Sequence, residues 1–126
     1  MLKATRIGTT AVVELEYDGT LASAEVTTAR ELVERVAAEH GRARLLGVVT
    51  RMGTPPAGVL QEQSDGLGLL QRIDRAALVT DTLWLSLAAK ARAKALPFEL
   101  RTFKRRDRDK ALAWLQEEPG GARAPR

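Results

Sequence analysis

Two short runs decide how this sequence folds: RLLGVVT, residues 44–50, and AALVT, residues 76–80. Each is apolar without interruption, partly β-branched, and too short for a core helix. A strand wetted on one face alternates apolar with polar, whereas a strand covered on both faces reads as a continuous apolar run. Each run is followed by a helical pattern. Strands that alternate with helices imply crossover connections and a largely parallel sheet.

The elements around these two strands follow by the same logic. TTAVVELEY (9–17) alternates, with Val13, Leu15 and Tyr17 on one face and Val12, Glu14 and Glu16 on the other, and predicts a half-buried strand. LKATRI (2–7) is joined to it through Gly8-Thr9-Thr10, which predicts a hairpin. Ser23 is the expected N-cap of a helix whose stripe is Val26, Ala29, Leu32, Val33, Val36 and Ala37, stopped by Gly41. FELRTF (98–103), opened by Pro97, predicts a strand near an edge. A last helix over about 107–117 brings Ala111, Trp114 and Leu115 to one face. EEPGGARAPR then offers nothing to bury, so residues 118–126 are expected to be a disordered tail to a single domain over 1–117.

Residues 54–74 read in two ways. Thr54 can cap a helix whose first turn holds Pro55 and Pro56, running over about 55–72 with Val59, Leu60, Gln63, Leu67 and Leu70 on its inner stripe. Gly66 and Gly68 oppose that reading, since each costs about 1 kcal/mol against alanine inside a helix. A start at Ser64 is the alternative. The expected order is β-β-α-β-α-β-α-β-α, an α/β domain of about five strands and four helices.

Composition narrows the function classes. At 126 residues the chain suits one domain with a real core. It has no cysteine, which excludes disulfides, thiolate metal sites and a cysteine nucleophile. No apolar stretch approaches the length of a membrane span, and no charged head followed by a long apolar run marks a signal peptide. A cytoplasmic location is the expectation. The charge is uneven: residues 1–40 carry a net −3 and residues 90–110 a net +6. The basic end suits an acidic partner, or is simply a solvated surface.

Four stretches carry a resemblance to a known family: VELEYDGTL (13–21), IDRAALVTD (73–81) entered from a short helix, DTLWLSLAAKA (81–91), and LPFELRTFKRRDRDKALAWL (96–115). Over about residues 2–117 the chain resembles the SpoIIAA-like proteins, small stand-alone bacterial domains with a STAS-like fold. The resemblance implies a mixed, mostly parallel sheet built of successive β–α turns. The family brings no established activity. It shares its outline with anti-sigma-factor antagonists, which bind a kinase and are phosphorylated on a serine, and with CRAL-TRIO domains, which hold an apolar ligand.

Ser64, within SDGLGLL, resembles the antagonists' phosphorylated serine. That serine starts a helix, where the first-turn amides and helix dipole favour a phosphate. In the 55–72 reading Ser64 falls mid-helix, and Thr54 is the better-placed phosphoacceptor. Tyr17, Arg51, Met52 and Trp84 lie near strand carboxyl ends, where open parallel sheets collect ligands, and with Thr54 form the candidate ligand or partner surface. Trp84, following an expected Asp81 cap, can alternatively pack against the sheet. His40 is the only histidine and suits a helix C-terminus as a cation. Glu14 and Glu16 share a strand side with no third ligand, and Gly66-Leu67-Gly68 completes no nucleotide-binding loop. No nucleophile–base–acid set is evident, so no enzyme and no cofactor are expected. KRRDRDK (104–110) lacks the interleaved aromatics of a nucleic-acid surface. Two functions fit: a regulatory or protein-interaction module using a surface near Thr54–Leu67, or a carrier of a small apolar or lipid-like ligand. Either can pair as a homodimer.

Overall fold

A computed structural model describes residues 1–19, 22–51 and 71–117. Its elements are β1 (Leu2–Arg6), β2 (Val12–Tyr17), α1 (Ser23–His40), β3 (Ala43–Val49), β4 (Ile73–Val79), α2 (Leu83–Ala93), β5 (Glu99–Phe103), a 3₁₀ turn (Arg105–Asp107) and α3 (Arg108–Gln116). The five strands lie side by side in chain order. β1 pairs antiparallel with β2, and β2–β3, β3–β4 and β4–β5 pair parallel. The described residues therefore hold the expected five-stranded mixed sheet and three α-helices. Of the helix expected over 55–72 only Gln71 and Arg72 are described, and they form a turn; the rest of it and the tail 118–126 lie outside the described residues.

The β1–β2 turn is tight. Gly8 takes a φ of +57°, the Ile7 amide donates to the Val12 carbonyl at 3.0 Å, and the Thr10 hydroxyl donates to the Ile7 carbonyl at 2.6 Å. After it, each parallel connection steps one strand in the same direction, and right-handed crossovers then favour one face of the sheet. α1 occupies one face, packing Val33, Val36 and Ala37 against Val13, Ala43 and Ile73. α3 follows the last strand and takes the opposite face, packing Ala111, Trp114 and Leu115 on Val12, Leu46, Val48, Ala77 and Val79.

β2 departs from its expected half-burial. Val12 and Val13 are both buried, one under each helix. Glu14 is tolerated on the α3 side because Arg108, the first residue of α3, meets its carboxylate at 2.8 and 3.0 Å. The start of α1 also differs. The N-cap is Ala22, with Ser23 the first helical residue, and the Glu25 carboxylate accepts the Ala22 amide at 3.1 Å. Glu25 can reach back from the first turn, so a side chain inside the helix does the capping. Gly41 ends α1 as expected, at φ +86°.

His40 lies in the last turn of α1. Its Nε2 lies 2.8 Å from Nη2 of Arg6. The same Arg6 donates to Glu39 at 2.8 Å. That hydrogen bond and the Arg6 charge hold the Glu39 carboxyl below its usual 4.5.

The far end of α3 has no glycine cap. Its last carbonyls are taken by two arginines rising from the central strands. Arg75 of β4, only 6% exposed, donates to the Trp114 carbonyl at 2.8 Å. Arg44 of β3 donates to the carbonyls of Leu115 and Glu117, and its guanidinium also meets the Asp74 carboxylate at 3.0 Å. The Trp114 ring lies between cations, 5.2 Å from the Arg75 guanidinium and 4.7 Å from that of Arg101, with Phe103 at 6.1 Å.

Two outcomes follow. Arg75→Ala removes a charged hydrogen bond to the Trp114 carbonyl and a ring contact, and should lower stability by about 1.5–3 kcal/mol, read from urea denaturation midpoints. For Glu39, a depressed folded pKa means stability that is present above the unfolded value and lost as pH falls through the folded one. Urea midpoints of Glu39→Ala and wild type should therefore differ near neutral pH and converge as the pH falls below 4.5.

Candidate functional site

The carboxyl ends of β2, β3 and β4 share one sheet edge, and three of the candidate residues lie along it. Tyr17 ends β2 beside Val49 of β3. The Thr50 amide and hydroxyl both donate to the Tyr17 carbonyl, at 2.9 and 3.1 Å. Arg51 donates through Nε to the Asp18 carbonyl at 3.1 Å, while the Asp18 carboxylate holds the terminal amine of Met1. Tyr17 and Arg51 are thus neighbours. The Tyr17 hydroxyl is buried without a hydrogen-bond partner among the described residues. Met52, Thr54 and Ser64 lie outside the described residues.

Trp84 belongs to the same edge, and it does not pack closely against the sheet. Its side chain is 59% exposed. β4 ends at Val79, and the chain is then fixed by short bonds. The Thr80 amide donates to the Phe103 carbonyl at 2.9 Å, and the Thr80 hydroxyl accepts the Thr82 amide at 3.1 Å. Asp81 does not cap α2, whose N-cap is Thr82. Its carboxylate instead accepts the Arg105 amide at 3.0 Å, tying the start of α2 to the turn before α3.

α2 has no buried residue along its whole length. Leu83 is 73% exposed and Leu87 57%, and both join Trp84 at helical spacing. Ala88 and Ala91, also exposed, continue this face. The opposite side holds half-buried Leu85 and Ala89. LWLSL puts large apolar residues all round one turn, so a helix lying on a sheet cannot cover them all. That all-round pattern was the available sequence signal for Leu83 and Leu87.

Cations border this face. Lys90, Arg92 and Lys94 lie in and just beyond its last turn, and Lys104, Arg105 and Arg106 stand on the turn bonded to Asp81; all six are exposed. Neighbouring charges are engaged: Arg101 with Glu99, Arg108 with Glu14, and Lys110 with Asp107.

Elsewhere the described residues offer little chemistry. A cavity of about 210 Å³ is lined by Leu2, Ala4, Ala24, Glu25 and Thr28, and one of about 150 Å³ by Thr10, Ala11, Val12, Arg44, Leu115 and Gln116. Both are smaller than ordinary small-molecule pockets, which run to about 300–1,000 Å³. Among the described residues, no three histidine, aspartate or glutamate side chains cluster as metal ligands. No helix among them is long and apolar enough to cross a membrane.

The SpoIIAA-like family model matches residues 12–116, from the first buried valine of β2 to the last residue of α3. The chain belongs to the SpoIIAA-like family. Among solved structures, it is similar to an uncharacterised protein of the DUF3478 family from Shewanella loihica PV-4, itself described as having a SpoIIAA-like fold. The two share 20% sequence identity with a TM-score of 0.68, over 91% of this chain and 92% of that one. At that identity the likeness is one of fold. No curated protein matches the chain by sequence.

Exposure of Trp84 is directly measurable, because the only other tryptophan, Trp114, is buried. Iodide should quench a large part of the native fluorescence, and Trp84→Phe should leave a blue-shifted emission that iodide barely reaches.

Proposed function

We propose that this SpoIIAA-like domain is a non-enzymatic interaction module that docks a partner through the exposed apolar face of α2. The observation that carries the reading is Leu83, Trp84 and Leu87 standing together in solvent on one helix. Apolar side chains grouped on a surface, with cations around them, mark a docking site more often than a catalytic one. The surface expected from sequence, near Thr54–Leu67, lies outside the described residues. The α2 face is what the described residues offer in its place.

A second reading keeps one specific support. The Tyr17 hydroxyl, buried and without a hydrogen-bond partner among the described residues, suits the polar end of a small lipid-like ligand. A buried hydroxyl without a partner costs about 1–3 kcal/mol, which a bound polar group would recover.

The two readings separate by site-directed photo-crosslinking in the native cell. A photoreactive residue at position 87 should give a discrete protein adduct, absent from a control at Glu31 on exposed α1. Leu83→Ser with Trp84→Ser should remove a cross-link made from position 87. Adducts of equal yield at 31 and 87 would sink the docking reading. Native mass spectrometry showing a small non-covalent adduct, lost in Tyr17→Phe, would favour the carrier.

A further inference from the structure

We infer that the occupant of the α2 face is an acidic amphipathic helix of a partner protein, its apolar side on Leu83, Trp84 and Leu87 and its carboxylates on the two flanking basic clusters. This inference rests on the docking reading above and adds the chemistry of the partner.

The first support is where the charges stand. Lys104, Arg105 and Arg106 are separated in sequence from α2, yet the fold brings them to its N-terminal end. The Asp81 carboxylate accepts the Arg105 amide at 3.0 Å, and the Phe103 carbonyl accepts the Thr80 amide at 2.9 Å. Lys90, Arg92 and Lys94 occupy the other end. The apolar face is therefore bracketed by cations at both ends. None of the six makes an ion pair among the described residues, while the nearby carboxylate of Glu99 is engaged by Arg101 and that of Asp81 by the Arg105 amide. An uncompensated positive border selects a partner with negative charge at matching places and repels one without it.

The second support is shape. From Leu83 to Ala93 the helix is about 16 Å long, room for roughly three turns of a partner helix. Its large side chains crowd the first turns, and exposed Ala88 and Ala91 follow. Small residues there let a second helix approach closely. A bilayer favours large apolar side chains along the whole embedded face, and this face has them at one end only.

A second copy of the chain is the poorer occupant. Two-fold pairing places the same patch against itself, and here that means a positive border against a positive border. Pairing the patch with the acidic surface of α1, where Glu31 and Glu34 are exposed, is head-to-tail and does not close.

The test uses the full chain and labelled synthetic helices followed by fluorescence anisotropy. One peptide is amphipathic and glutamate-rich, one carries glutamine in place of glutamate, and one carries lysine. The acidic peptide should bind, and raising salt from about 50 mM to about 300 mM should weaken it roughly tenfold or more. Arg105→Glu with Arg106→Glu should weaken the acidic peptide by a similar factor while leaving circular dichroism unchanged. Leu83→Ser with Leu87→Ser should weaken the acidic and neutral peptides alike. Equal binding of acidic and neutral peptides would overturn the acidic partner and leave α2 docking intact. If no peptide's binding responds to the Leu83/Leu87 substitutions, docking on α2 itself fails. Binding to phosphatidylglycerol vesicles without binding to the acidic peptide would overturn the inference in favour of a membrane. Salt-dependent self-association in sedimentation, abolished by Arg105→Glu with Arg106→Glu, would overturn it in favour of a second copy.

Discussion

The sheet depends on how α3 is held. Nine residues make too short a helix to persist alone in water, so its packing must hold it. Both ends are fastened to the strands beneath. Arg108 meets Glu14 of β2 at the start, and Arg44 and Arg75, from β3 and β4, take the last carbonyls. A helix end normally leaves carbonyls for water or a glycine cap. Here the donors come from the sheet, so the helix and the strands it covers are fixed in one register. Trp114 sits at the junction and closes that face between Arg75 and Arg101.

The consequence for β2 is direct. Because α3 covers one face and α1 the other, both Val12 and Val13 are dry. The alternation in TTAVVELEY pointed to one wet face because Glu14 looked like a solvent-facing carboxylate. It is instead partnered under the first turn of α3. Continuous apolar runs at 44–50 and 76–80 were read correctly because no charged partner interrupts their centres. Arg44 and Arg75 lie at the margins of those runs and drew no reading. In retrospect Arg75 shares strand parity with buried Ala77 and Val79, and that placement was the signal.

The candidate surface was legible in part. Trp84 was recognised at the strand carboxyl edge, but neither its exposure nor its companions Leu83 and Leu87 followed from spacing. Asp81 was read as a local cap, the commonest use of an aspartate before a helix. Its carboxylate turns instead to an amide more than twenty residues away. Local patterns report local bonds, and what assembles the basic border around α2 is a long-range one. The net +6 of residues 90–110 was visible from sequence, while its division into two groups at the ends of one helix needed the fold.

Strand order equal to chain order has a consequence for how the molecule comes into being. Each new strand pairs with the one made just before it, so the sheet can lengthen while the chain is still emerging from the ribosome. No strand waits for a distant partner, which keeps exposed edges short-lived. Among the described elements, however, the face bearing Val12, Leu46, Ala77 and Val79 waits for α3 to cover it. Of these described elements α3 follows every strand and acts as the latch, so a nascent chain stalled before Trp114 would carry the five-stranded sheet with one sticky side.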